Sequence, residues 1–293
     1  MWLNWYLPRY WRLYVPCIVS ALLLSGTDTP AGSLTITSDR VGVPDARYDF
    51  NGDGKPDYVL YNASTRRTVI WYLNNNVFVS GALGPILPVG WRLVDVADFN
   101  GDHKPDYALF NATSRQTQIW YMNNNVFVRA AYGPTLPSGW ALVGCADFNG
   151  DGKPDFVLYT AATRATAIWY MNNNVFVSGA YGPRLPAGWT LAGLADFNRN
   201  GKTDYLLFNS STAQAAIWYL NNNVFVGGAF VSPTLPAGWT PRGGADYNGD
   251  GNPDLVLYNP GTRATEIWYM GNNILFELGN GPPLPPGWSL AAP

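Results

Sequence analysis

Five nine-residue stretches hold most of the oxygen-ligand chemistry of this chain: DFNGDGKPD at 49–57, DFNGDHKPD at 98–106, DFNGDGKPD at 147–155, DFNRNGKTD at 196–204 and DYNGDGNPD at 246–254. Positions one, three, five and nine carry a carboxylate or an amide in every copy. These are Asp49, Asn51, Asp53 and Asp57; Asp98, Asn100, Asp102 and Asp106; Asp147, Asn149, Asp151 and Asp155; Asp196, Asn198, Asn200 and Asp204; and Asp246, Asn248, Asp250 and Asp254. Position seven, which is Lys55, Lys104, Lys153, Lys202 or Asn252, offers a main-chain carbonyl. Fourteen of the 18 Asp fall inside these loops, so the acid is concentrated rather than scattered. A tight curl that points these oxygens inward crowds like charges, which raise each other's pKa unless a cation intervenes. Hard oxygen donors at alternate positions suit Ca²⁺, which takes about 6 to 8 oxygens, better than Mg²⁺, which keeps its waters. Zinc sites would draw on His and Cys, which the loops lack apart from His103.

The loop is not an EF-hand. That motif needs a bidentate Glu at position twelve and helices on both sides, whereas position twelve here is Leu60, Leu109, Leu158, Leu207 or Leu257. The competing reading is that Lys55, Lys104, Lys153 and Lys202 neutralise the acids as salt bridges. Asn252 removes the cation in the fifth copy while all three Asp stay, which favours metal. The expectation is up to five Ca²⁺, one per loop. Position six is Gly in every copy but the second, where His103 stands, so the lone His reads as a strained turn residue rather than a catalyst. In the fourth copy Asn200 replaces an Asp and Arg199 adds positive charge, so 196–204 is expected to bind weakest.

The loops begin 49, 49, 49 and 50 residues apart, a period that marks a solenoid, a propeller or an array. Within residues 90–138 four runs rich in Val, Ile, Tyr, Phe and Trp read as strands: WRLVDVA, DYALFN, TQIWYM and NVFVRAA. Between them lie the Asp loop, a polar link (NATSRQ) and an Asn triplet; a Pro-rich segment leads to the next unit. Runs such as DYALF and QIWYM are apolar on both faces, as expected of sheets sandwiched between neighbours. The expected fold is all-β: a β-propeller of five four-stranded blades. GWSLAAP at 287–293 repeats the start of the first strand but has no loop after it, and the first repeat has no GW before its loop. The C-terminal strand is therefore expected to complete the first blade and close the ring through both termini.

The Asn triplets at 74–76, 123–125, 172–174 and 221–223, with GNN at 271–273, read as turn chemistry. The IWY pairs, Trp71 with Tyr72 through Trp268 with Tyr269, read as interblade packing, with an exposed sugar platform as the alternative. Strand order sets the Asp loops and Asn turns on one face. The opposite face repeats Arg66, Arg115, Arg164 and Arg263, with Gln214 near the matching place, beside Tyr132 and Tyr181. Those residues are either a recognition surface or plain solvated loops.

The motif D-x-N-x-D-G-x-x-D, opening the second strand of a four-stranded unit, resembles the FG-GAP and VCBS-type repeats of integrin alpha-chain propellers and many secreted bacterial proteins. The resemblance covers residues 41–293, with units shorter and fewer than in the integrins. It implies a propeller whose hairpin loops bind calcium, used for extracellular adhesion or ligand binding on the face away from the ions.

Composition narrows the function further. Hydrophobic residues make up 47% and charged residues 13%, with a net charge of −2, so neither nucleic acid nor an anionic membrane is an expected partner. Arg9, Arg12 and the apolar run 15–26 resemble an export signal over residues 1–31, followed by a linker at 32–40. The run is short for a span, and a retained anchor or an ordinary strand or helix is the alternative. Cys17 and Cys145 offer no disulfide framework, and Cys145 aligns with Val96, Leu194 and Gly244 as a buried thiol. With one His and two Glu, Glu266 and Glu277, acid–base chemistry has few candidates, so no enzyme is expected and no catalytic residue is assigned. The sequence points to a secreted or cell-surface calcium-binding module for a carbohydrate or a surface protein. A structural scaffold, or less readily a hydrolase, is the alternative.

Overall fold

The computed structural model describes residues 46–292. The segments read above as export signal and linker, together with Cys17, lie outside the described residues. Among the described residues no helix is long and apolar enough to cross a membrane.

Twenty strands form five four-stranded antiparallel sheets. The first blade contains β1 (Tyr58–Asn62), β2 (Arg67–Asn74) and β3 (Val77–Ile86); the second is β4 (Trp91–Ala97), β5 (Asp106–Asn111), β6 (Gln116–Asn123) and β7 (Val126–Thr135). The third is β8 (Ala141–Ala146), β9 (Asp155–Thr160), β10 (Ala165–Asn172) and β11 (Val175–Tyr181). The fourth is β12 (Trp189–Ala195), β13 (Asp204–Asn209), β14 (Gln214–Asn221) and β15 (Val224–Phe230). The fifth is β16 (Thr240–Ala245), β17 (Asp254–Asn259), β18 (Ala264–Gly271) and β19 (Ile274–Asn280), and β20 (Trp288–Ala292) returns to pair with β1. Strands β4, β8, β12, β16 and β20 touch one another in that cyclic order, so they line the axis and the sheets radiate outward as the blades of a five-bladed propeller. β3 and β7 run on through the Gly-Pro that sequence alone assigns to the connection, ending at Ile86 and Thr135.

Closure goes further than the expected C-terminal strand. In the second blade the inner strand pairs Trp91 with Asn111 and ends with Ala97 opposite Asp106. In the first blade β20 supplies the matching rungs only from Trp288 opposite Asn62 to Ala292 opposite Val59. The last rung comes from the other end of the chain, where Asp57 N donates to Tyr48 O at 2.8 Å in the short turn Ala46–Tyr48. The innermost strand of this blade is thus shared between the two ends of the described chain.

Apolar side chains from facing sheets fill the spaces between blades, with Tyr58, Tyr107, Tyr205 and Tyr247 almost fully buried. The aromatic at position two of an Asp loop takes part in this packing. Phe50 meets Tyr107 at 6.2 Å, Phe99 meets Phe156 at 5.9 Å, Phe148 meets Tyr205 at 6.0 Å and Tyr247 meets Tyr58 at 6.1 Å, each edge-on to an aromatic of the following blade. Burying such a ring contributes about 1.5 to 3 kcal/mol, and the edge contact about 0.5 to 1.5 more. The Asp-Phe dipeptide, Asp-Tyr in the fifth copy, therefore anchors the loop: one residue faces the loop's own amides and the next is seated in the neighbouring blade.

Candidate functional site

Each Asp loop is held by its own carboxylates. In the first copy Asp49 Oδ1 accepts from Gly52 N at 2.7 Å and Asp53 N at 3.1 Å, and Oδ2 accepts from Gly54 N at 2.8 Å. Asn51 Oδ1 accepts from Asp53 N, and Asp53 Oδ1 from Lys55 N, both at 3.0 Å. Asp57 is fully buried and uses both oxygens on main-chain amides, Phe50 N at 3.0 Å and Leu73 N at 3.1 Å, tying the loop to β2. The equivalent Asp106, Asp155, Asp204 and Asp254 are equally buried and bonded alike. Burial pushes these carboxyls up, against the pull of the two amides and with help from the nearby loop acids. Asp57, Asp106 and Asp254 reach about 7, and Asp155 and Asp204 about 6.

Two of the lysines are turned away from the acids, and Lys202 Nζ lies beside Gly150 of the third loop. Lys55 Nζ donates to Asn75 Oδ1 and Lys104 Nζ to Asn123 Oδ1, each at 2.8 Å, and among the described residues no lysine pairs with a loop aspartate. The donor set is hard oxygen throughout and fits Ca²⁺ in kind. The convergence expected of three acids within a few ångströms is not present: among the described residues no three acidic, imidazole or thiol side chains gather around one point. The reason is local, because position-nine carboxylates face inward to amides while those at positions one and five face the loop.

Positive φ recurs at position four as well as at position six, a requirement not apparent from the motif. Gly52, Gly101, Gly150 and Gly249 lie at φ 76° to 80°, and Arg199 takes the same place at φ 60°. His103 at position six has φ 63°, in keeping with the strained-turn reading. The fourth loop is altered in contacts too. Arg199 N reaches Asp196 O at 3.4 Å instead of the side chain, the Arg199 guanidinium lies against Gly251 of the fifth loop, and Thr203 Oγ1 donates to Asp147 O of the third at 2.7 Å.

The Asn triplets do more than turn. The middle Asn has φ of 56° to 58° in all five copies, as turn chemistry requires. The third Asn stitches blades together: Asn76, Asn125, Asn174, Asn223 and Asn273 donate Nδ2 to carbonyls of Asn280, Leu83, Tyr132, Tyr181 and Phe230, at 2.8 or 2.9 Å. The IWY tyrosines complete this lattice, with Tyr72, Tyr121 and Tyr170 donating to Asn124, Asn173 and Asn222 of the next blade. Their tryptophans pack edge-on or tilted within their own blade rather than between blades, Trp71 against Phe78 at 4.9 Å and Trp120 against Phe127 at 4.6 Å. Packing accounts for these pairs.

On the opposite face the repeated arginines are structural at the backbone. Arg66, Arg115, Arg164 and Arg263 have φ of 56° to 62°, and the matching residue in the fourth copy is Ala213 at 55°, not Gln214. Their carbonyls accept from Leu87, Leu136, Leu185 and Leu284, and Arg164 and Arg263 also donate Nε to Leu185 O and Leu284 O. Tyr132 and Tyr181 remain 67% and 75% exposed, and with Phe230 they form tilted pairs with Trp91, Trp140 and Trp189, at 6.4, 6.2 and 6.1 Å. These tryptophans, from the GW turn, are the aromatic candidates the IWY motif drew attention away from.

Two axial residues escaped the sequence reading. Asp95 stands where its sister strands have Gly144, Gly193 and Gly243, buried, accepting from Tyr48 OH at 3.3 Å, Val96 N at 2.9 Å and Cys145 N at 3.0 Å. Burial raises its carboxyl, and the Arg47 guanidinium opposes that. Arg47 also donates to Leu194 O at 2.9 Å, so the N-terminal turn contacts the second and fourth blades at once. Cys145 is buried, its thiol pushed up by burial and by Asp95, which fits an inert residue.

The chain is similar in fold to parts of several solved structures. One is a Photorhabdus luminescens Tc holotoxin pore, 17% identical, TM-score 0.43, over 75% of this chain but only 12% of that one. Another is a Bacteroides caccae protein of unknown function, 13% identical, TM-score 0.42, over 77% of this chain and 73% of that one. A third is a Desulfotomaculum acetoxidans protein, also functionally unknown, 15% identical, TM-score 0.40, over 78% and 67%. No curated protein matches in sequence. The FG-GAP-like repeat matches at residues 49–109, 98–158, 147–207 and 196–257, each span running from one Asp loop through the start of the next unit. With the matched spans covering more than half of its length, this chain belongs to the FG-GAP-like repeat family.

Proposed function

We propose that the propeller is an exported, calcium-stabilised binding module whose ion-bearing face holds the ring rigid while the opposite face takes a carbohydrate or a protein surface. The observation that supports the calcium reading is the direction of two lysines: Lys55 and Lys104 reach the Asn turns instead of the acids of the first and second loops. A divalent ion at each loop would be held by the side chains at positions one, three, five and nine with the position-seven carbonyl, as at Asp49, Asn51, Asp53, Lys55 and Asp57. Its contribution there is charge neutralisation, since an uncompensated cluster of carboxylates opposes folding. The recognition reading draws on the exposed Trp–Tyr and Trp–Phe pairs, because large exposed aromatics supply stacking area for sugars and anchor points for proteins.

A scaffold without a ligand is the second reading, favoured by the structural use of the repeated arginines. Hydrolysis has less support: Glu266 accepts from Trp268 Nε1 at 3.3 Å, and Glu277 sits exposed on the outermost strand of its blade. Screening the protein on glycan and surface-protein arrays, with calcium and after chelation, tests the binding reading. A bound class is expected, weakened about 5- to 10-fold by Tyr181→Ala through loss of one aromatic contact. Silence on every array would favour the scaffold, and turnover on a panel of hydrolase substrates would favour the enzyme.

A further inference from the structure

The inner strand of every blade carries a bulge. Register shifts fall between Leu93 and Asp95, Leu142 and Gly144, Leu191 and Gly193, and Pro241 and Gly243, and β20 is shifted against β1 in the same way. The extra residue is Val94, Val143, Ala192, Arg242 or Ala291. Bulges re-aim side chains and are common beside functional sites. Three of these residues, Ala192, Arg242 and Ala291, line one cavity of about 320 Å³ where the inner strands of the fourth, fifth and first blades meet. Phe208 and Ser210, at the end of β13, place it toward the face of the polar links, away from the Asp loops. Next to it the inner strands of the fourth and fifth blades run backbone against backbone: a Cβ on Gly193 would lie 2.6 Å from Gly243 Cα.

Among the described residues Arg242 is the one charged residue in this lining, and no carboxylate side chain lines it. Its guanidinium lies 5.5 Å from the Tyr258 ring, and among the described residues it makes no hydrogen bond or ion pair. The neighbouring hydroxyls are already directed inward, with Thr190 Oγ1 donating to Phe208 O at 3.3 Å and Thr240 Oγ1 to Tyr258 O at 3.1 Å. Ser210 is exposed and adds a hydroxyl, while Leu191, Phe208, Pro241 and Leu290 supply apolar wall. A planar fork of donors with no hydrogen-bond partner among the described residues, at an open hollow with partly apolar sides, is complementary to a carboxylate on a compact organic body. The volume suits a small ligand.

We propose that this axial pocket binds a small organic carboxylate, its anionic end held by Arg242 and Ser210 and its body against Leu191, Phe208 and Leu290. The inference rests on the reading of the propeller as a binding module, but not on the calcium loops of the other face.

Titration calorimetry with benzoate, glucuronate and N-acetylneuraminate, with benzamide, sulfate and phosphate as comparisons, tests it on the full chain. At least one carboxylate is expected to bind saturably at about 1 mM or tighter, and benzamide is not. Arg242→Ala should weaken that binding at least tenfold and Arg242→Lys should restore it only in part, because a point charge cannot bond both oxygens in the same plane. Arg129→Ala, which removes a guanidinium stacked on Tyr121 at 3.6 Å elsewhere, should leave it unchanged. Arg242 is exposed, so an unaltered melting temperature is expected to accompany the loss. Absence of saturable carboxylate binding, insensitivity to Arg242→Ala, or sulfate and phosphate binding as tightly as any carboxylate would overturn the proposal. Glycan or protein binding on the arrays with no saturable carboxylate binding in calorimetry would overturn it while leaving the binding-module reading intact.

Discussion

Deleting residues 287–293 should lower the melting temperature by roughly 6 to 12 °C, from a loss of at least about 3 kcal/mol in a domain of this size. β20 is the innermost strand of the first blade, and Leu290 and Ala292 are buried in the cluster that also holds Tyr58, Leu60 and Ile70. Losing Leu290 alone costs about 1.5 to 3 kcal/mol. The deletion also unpairs one side of β1 from Val59 to Asn62, converting a central strand into an edge at the ring axis. The first blade would then be left with Ala46–Tyr48 as its only inner segment. Differential scanning calorimetry of the truncated chain reads the effect, and an unchanged transition would show that the ring does not depend on this closure. The axial contacts of Arg47 with Leu194 and of Tyr48 with Asp95 would remain, so the truncated protein should keep its β content while melting earlier.

The second large effect is a pH dependence of the calcium-free protein that runs against the usual direction for Asp. The five position-nine carboxyls are raised to about 6 or 7, with burial as the leading cause. A carboxyl raised in the folded state binds its proton more tightly there than in the unfolded chain. Its stabilising contribution is therefore complete below about pH 4 and is lost as pH rises through 6 to 7. At about 1.36 kcal/mol per unit, each group alone would account for roughly 3 to 4 kcal/mol. Five together would exceed the roughly 5 to 15 kcal/mol that holds a domain folded. Charges of that cost need either a proton or a metal ion at neutral pH. With a chelator present, the melting temperature should fall by at least about 10 °C between pH 5 and pH 7.5, the size expected from one such group alone, and millimolar calcium should remove most of the fall, because ligands must be deprotonated to bind metal. A calcium-free melting curve that is flat or rises over this range would contradict the account.

The five-blade architecture was legible in the sequence because the period repeats almost without variation and each unit has the same four apolar runs. The closure by GWSLAAP was legible for the same reason: one end lacks what the other end has in excess. The share taken by Ala46–Tyr48 was not, since neither Arg47 nor Tyr48 resembles the Val96 and Ala97 that occupy those places in the second blade. Contacts between repeats were hidden as well. A pattern along the chain shows that Asn tolerates a turn, but not that Asn125 reaches the carbonyl of Leu83 in another blade. The candidate loop ligands were legible from residue type, whereas the inward direction of Asp57 and its equivalents depends on amides of Leu73 and its counterparts sixteen residues away. Arg242 looked like one more variation in a strand, because its significance comes from a bulge and from three strands meeting at the axis.

The central claim, that the five Asp loops are calcium sites, is tested most directly by counting ions. Native mass spectrometry with equilibrium dialysis across about 10⁻⁵ to 10⁻² M calcium, a range that brackets extracellular modules at about 10⁻⁴ to 10⁻³ M, should give four ions per chain at the loops starting at Asp49, Asp98, Asp147 and Asp246. A weaker fifth should appear at 196–204, where Arg199 and Asn200 stand, and Asn200→Asp should tighten it. Fewer than three ions per chain at saturation would contradict the account.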